Sequence, residues 1–158
     1  MTDRIARALH RLTGVICQGL MVLIVAGQLA VVILRYVFGM GFIELQDAVA
    51  YSFAALVVLG LPVALREDGH VRVDVFRAGQ SPVWQRRFDT VGTLVFLLPV
   101  YALVIWWVMP DVIFSWSILE GSKETGGLPG MFLVKSTLPL ACLLMIVQGL
   151  AGLKVRHD

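Results

Sequence analysis

Residues 12–34 read LTGVICQGLMVLIVAGQLAVVIL, 23 positions without a charged side chain. A helix rises ~1.5 Å per residue and the hydrocarbon core of a bilayer is about 30 Å thick, so about 20 such residues cross it. Three more stretches share the property: residues 48–65, 90–110 and 136–153, of 18, 21 and 18 residues. Together the four make up half of the 158-residue chain. An apolar content of 58% and a mean hydropathy of +0.84 exclude an ordinary soluble domain. Lipid offers no hydrogen bonds, so each span must satisfy its own backbone as a helix. The expectation is an all-α membrane protein with four transmembrane helices, near residues 8–38, 43–66, 82–110 and 130–155. They form one domain over residues 1–158.

The connections carry the orientation. Arg4, Arg7 and Arg11 precede the first span; Arg66, Arg72, Arg77, Arg86 and Arg87 lie between the second and third; Lys154 and Arg156 follow the fourth. Only Arg35, Lys123 and Lys135 lie on the other side, so ten of 13 cationic side chains share one face. The positive-inside rule places that face, and both termini, in the cytoplasm. The first uncharged run is too long for a signal-peptide core and no small-x-small site closes it, so it reads as a retained span.

Short connections leave no room for a soluble domain. The first, residues 35–47, is an outer hairpin broken by Gly39 and Gly41. Ser81-Pro82 starts a helix, Ser as cap and Pro at the first turn. Trp84 and Phe88 then share one face against polar Gln85, Arg86 and Asp89, the pattern of a short interfacial amphipathic helix leading into the third span. A second such helix is expected over residues 111–120, broken by Gly126-Gly127-Leu128-Pro129-Gly130.

The chemistry is sparse. His10, His70 and His157 all lie outside the spans, so bis-histidine haem ligation has no support. No metal motif or phosphate loop is present, no cofactor is expected, and nothing points to nucleic acid. Cys17 and Cys142 are isolated packing residues. No carboxylate lies within an uncharged run, which leaves a self-sufficient ion-coupled transporter poorly equipped. Gln18, Gln28, Ser52, Thr93 and Gln148, deep in the spans, suit interhelical hydrogen bonds. Gln28 and Arg35 are seven apart, nearly on one face; Glu44 and Asp47 share another. Ala48, Ser52 and Gly60 recur at multiples of four, a pattern for close helix approach. Pro62, Pro99 and Pro139 each remove a backbone donor, and Pro99, near mid-span, should bend its helix most. These features fit a non-catalytic subunit bound to a partner. A stand-alone small transporter or channel would need a membrane-embedded acid or a polar stripe. The anchor subunit of a membrane oxidoreductase would need haem or quinone ligands.

Arg35-Tyr36-Val37-Phe38, Glu44-Leu45-Gln46, Gly60 and Arg66-Glu67-Asp68-Gly69-His70-Val71-Arg72-Val73-Asp74 give the chain a resemblance to a known family. It resembles the small membrane subunit of TRAP transporters, the DctQ family. Ser115-Trp116, Glu120-Gly121-Ser122, Gly126-Gly127-Leu128-Pro129 and Lys135 are similar to one branch of it. Where many members carry an aromatic residue and two adjacent acids before span two, this chain has Glu44-Leu45-Gln46-Asp47. The resemblance implies a bacterial or archaeal cytoplasmic-membrane system that imports organic acids on a sodium gradient. Its partners would be a large membrane subunit carrying the substrate and sodium sites, an extracytoplasmic solute-binding receptor and the lipid bilayer. The branch features imply carboxylates such as 2-oxo acids. Partner contacts are expected among Gln28, Arg35, Glu44, Gln46, Asp47, Ser52, Gly60, Arg66, His70, Arg72, Asp74 and Lys135. Arg66 or Arg72 would pair with Asp74 in a fixed cytoplasmic turn. Glu120 and Glu124 would face the receptor.

Overall fold

In the computed structural model, which describes residues 2–67 and 81–155, the uncharged runs form the centres of long helices. These are α1 (Thr2–Tyr36), α2 (Ile43–Arg66), α3 (Pro82–Val91), α4 (Leu98–Ser117) and α5 (Met131–Val155). A π-helical segment, Gly92–Leu97, joins α3 to α4, so the third span is one helix from Val83 to Ser117. All four spans are long and apolar enough to cross a membrane. No strand longer than the Gly121–Pro129 bridge occurs among the described residues. The expected bounds hold within a residue for α2 and α5, whereas α1 begins six residues earlier.

Two expectations need correction. Residues 111–117 do not form a separate interfacial helix; they continue α4 past Pro110. A proline ring costs one hydrogen bond but need not end a helix whose next turn is packed. Here Val112 and Ser115 are buried and hold that turn. Pro82–Val91 does form a helix, with Ser81 extended before it and Pro82 in its first turn, but the Ser81 side chain makes no capping bond. That helix runs straight on into the span.

α2 and α5 continue through Pro62 and Pro139. Pro99 has no N–H to give, and the ladder just before it slips by one residue, so that Leu98 N–H bonds Thr93 C=O, five residues back. At this slip α5 comes close: a Cβ on Gly149 would stand 3.0 Å from Leu97 Cδ2.

The helices form an open row rather than a closed bundle. α1 lies along α2, α2 along α5 and α5 along α4, with α1 also touching α5. The core is correspondingly thin: Leu59, Ala141 and Leu144, flanked by Leu9, Cys17, Leu20 and Val58. Gly27 of α1 lies tight against α2, where a Cβ would meet Val49 Cγ2 at 2.8 Å. Gly60, expected in that role, faces open space. The outer helices α1 and α4 expose most of their apolar side chains, Trp106 and Trp107 at 82% and 80%. In lipid such exposure costs nothing.

Candidate partner-facing sites at the two ends

Polar side chains gather at the two ends of the row. One end holds the start of α2, the end of α4 and the start of α5. There the segment 118–130 folds back under side-chain control. α4 stops in a Schellman turn: Glu120 N–H bonds Ser115 C=O and Leu119 N–H bonds Trp116 C=O. The residue that reverses the chain is Leu119, at φ +47°, a position usually given to glycine. The segment then pairs with itself, Ser122 N–H on Leu128 C=O, and turns at Gly126 and Gly130, φ +81° and +125°.

Two α2 side chains one turn apart clasp Leu128. Asp47 Oδ2 accepts its N–H at 2.9 Å, and Tyr51 donates its hydroxyl to its carbonyl at 3.1 Å. Gly127 lies directly under the clasp, where a Cβ would collide with Asp47 Oδ2 and with Ser122. On the other side Lys135 of α5 stands 3.0 Å from Asp111 Oδ2 and 2.7 Å from Glu120 Oε2. The Lys135 ammonium holds the Glu120 carboxyl below its ordinary value. Glu120 also supplies its carbonyl to Phe132 N–H, one of the orphan donors of α5's first turn. Trp116 donates its indole N–H to Ser136 Oγ at 2.8 Å and packs edge-on against Phe132.

The opposite end carries both ends of the described chain, Thr2 and Val155, with the end of α2. One buried side chain ties three helices there. Gln148 of α5 accepts from Arg66 Nη1 of α2 at 2.7 Å and donates to Ala6 C=O of α1 at 3.0 Å. His10 Nε2 lies 3.6 Å from Glu67 Oε1 beside it.

The expected contact residues divide clearly. Asp47, Arg66, Glu120 and Lys135 are internal fasteners. Ser52 is buried and bonds its own helix at Ala48 C=O, as Thr93 does at Asp89 C=O. Among the described residues Gln46 reaches Phe42 C=O of its own helix start. Gln148 alone of the five deep polar residues bonds across helices; Gln18 and Gln28 face outward with no hydrogen bond among the described residues. Arg35, Glu44 and Glu124 are exposed. His70, Arg72 and Asp74 lie outside the described residues, so the pairing expected of Asp74 is neither seen nor replaced; Arg66 engages Gln148. The sequence reading did not single out Tyr51, although it stands four residues after Asp47 and so on the same face.

A family model described as "Tripartite ATP-independent periplasmic transporters, DctQ component" matches residues 21–156. No curated protein and no solved structure matches the chain.

Proposed function

Because the chain belongs to the DctQ family of tripartite ATP-independent periplasmic transporter components, we propose that it is a small, non-catalytic scaffold for a large transport subunit. Residues 1–158 act as one four-helix unit in a bacterial or archaeal cytoplasmic membrane, with both termini in the cytoplasm. The large subunit carries the solute and the sodium ions. An extracytoplasmic receptor delivers the solute, an organic acid, to the end clasped by Asp47.

One observation carries this reading. The helices form an open row, with Lys135 paired to Asp111 and Glu120 at one end and its apolar flanks uncovered among the described residues. A row of this kind widens another membrane protein rather than enclosing a path of its own. Gln28 and Arg35, both exposed along α1, offer a polar seam to such a neighbour, since a glutamine in lipid gains from an interhelical partner. The segment containing His70, Arg72 and Asp74 is a further candidate contact with the large subunit.

The test is recovery of the large subunit with a tagged copy of this chain from solubilised membranes. Gln28→Leu with Arg35→Glu is expected to lower that recovery several-fold while the small subunit still inserts. Undiminished recovery, together with normal sodium-dependent uptake, would remove α1 from the interface.

A further inference from the structure

The third span is longer than a membrane needs. From Val83 to Ser117 it has 35 residues, about 52 Å at the helical rise. Its uncharged part begins at Thr90. If the hydrocarbon edge falls where the uncharged run begins, Arg87, three residues earlier, lies about 4.5 Å beyond it, at the level of the lipid phosphates.

The side chains at this level are arranged. The Arg87 guanidinium stacks on the Trp84 ring, 5.4 Å from its centroid. Trp84 also leans on Phe88, with the ring centroids 6.2 Å apart. Trp84, Phe88, Val91 and Val95 follow one another at helical spacing, and every one is exposed. Asp89 does not join this face, being about 200° around the helix from Arg87. Its side of the helix is that of Thr93, which meets α5 at Gly149. The outward face therefore presents the Arg87 cation, fixed by an aromatic ring, above an apolar stripe that descends into the span.

We propose that this face binds one anionic phospholipid, its phosphate on the Arg87 guanidinium and an acyl chain along Phe88, Val91 and Val95. A guanidinium offers paired donors to phosphate oxygens, and its stacking on Trp84 spares part of the ordering cost. In the sequence, ten of the 13 cationic residues belong to the termini and the connection on this side of the spans, and such a field would favour a net negative headgroup over a zwitterionic one. The inference rests on membrane embedding and not on the scaffold assignment, so either can fail alone.

The full chain in phosphatidylcholine vesicles tests it, with brominated phosphatidylglycerol or brominated phosphatidylcholine as quencher. Trp84 fluorescence is taken as the difference between the parent and Trp84→Phe. Brominated phosphatidylglycerol is expected to half-quench that signal at a mole fraction about fivefold lower than brominated phosphatidylcholine does. Arg87→Gln should erase the preference, Arg87→Lys should keep most of it, and Arg11→Gln on α1 should leave it intact. Circular dichroism matching the parent shows that each variant is folded. Equal quenching by the two lipids in the parent, or a preference that survives Arg87→Gln, overturns the proposal. So does a preference abolished by millimolar inorganic phosphate, which would make the site one for free anions.

Discussion

The two ends of the helix row are fastened by opposite means. At the Leu128 end, helix side chains grip the backbone of a loop: Asp47 and Tyr51 take the N–H and C=O of one residue. At the Gln148 end, helices grip one another, one amide bridging an arginine and a helical carbonyl. The first arrangement gives a loop of 13 residues, 118–130, one defined shape. The second sets the distance between α1, α2 and α5 and defines no surface. A shaped loop is what a soluble partner can recognise, and a set helix spacing is what a membrane neighbour can lean on.

Breaking the first fastening should have the larger effect. Gly127→Val places a branched side chain where Asp47 Oδ2 and Ser122 already stand. It must displace the carboxylate from Leu128 N–H, and overpacking of this kind costs about 1–3 kcal/mol. Asp47→Ala removes the acceptor without crowding, and loss of a hydrogen bond to a charged group costs about 1.5–3 kcal/mol. Both variants should melt earlier in detergent and should speed amide exchange at Leu128 and Ser122. Together they should cost little more than either alone, since they break one contact. Additive losses would mean that Gly127 serves something other than the clasp.

At the other end Gln148→Leu leaves the Arg66 guanidinium without its acceptor in a half-buried place. A cost of about 1–2 kcal/mol is expected, less than at the loop because Arg66 can swing toward water. Gln148→Glu should do better than Leu, since it restores an acceptor for Arg66 while losing the bond to Ala6. Thermal melts of the three proteins in one detergent order them; Glu falling below Leu would show that the Ala6 bond matters more than the Arg66 bond.

Much of this fold was legible in residue order because lipid leaves so few choices. Four uncharged runs of 18 to 23 residues dictate four helices, and α2 falls where Phe42 and Glu67 bracket it. The end of α4 was not legible. Pro110 and Asp111 look like a stop, yet the stop comes at Leu119, a leucine in a glycine's conformation. Its determinants are distant in sequence: Lys135 binds Glu120 across 15 positions and Asp47 binds Leu128 across 81. Charge type could be read at those positions; pairing could not, because helix order in the row decides it. Gln148 is the reverse case, a polar residue in a span whose need for a partner is general. The identity of that partner, Arg66, required the α2–α5 contact.

The smallest effect concerns the two acids first grouped as a receptor-facing pair. The structure separates them. Glu120 is held by Lys135 and its carboxyl lies below the usual range. A depressed carboxylate adds stability that is present above the unfolded value of about 4.3 and is lost as pH falls through the lower folded value. Glu120→Gln should thus lower the melting temperature by a nearly constant amount at pH 6–8 and flatten the acid limb of its pH dependence, so that parent and variant converge in acid. Glu124 is exposed, with its backbone N–H on Ser122 Oγ and its carbonyl on Gly127 N–H, so the loop shape presents it outward. Exposed charges act on encounter more than on affinity, and salt screens them beyond about 8 Å at physiological strength. If this end meets the solute receptor, Glu124→Lys should slow uptake only when receptor is limiting and ionic strength low, by about two- to fivefold, with the complex intact. Glu120→Lys, facing Lys135, should instead weaken the loop at every salt concentration. Equal, salt-independent losses in both variants would make Glu124 another fastener and leave the docking surface elsewhere on this end.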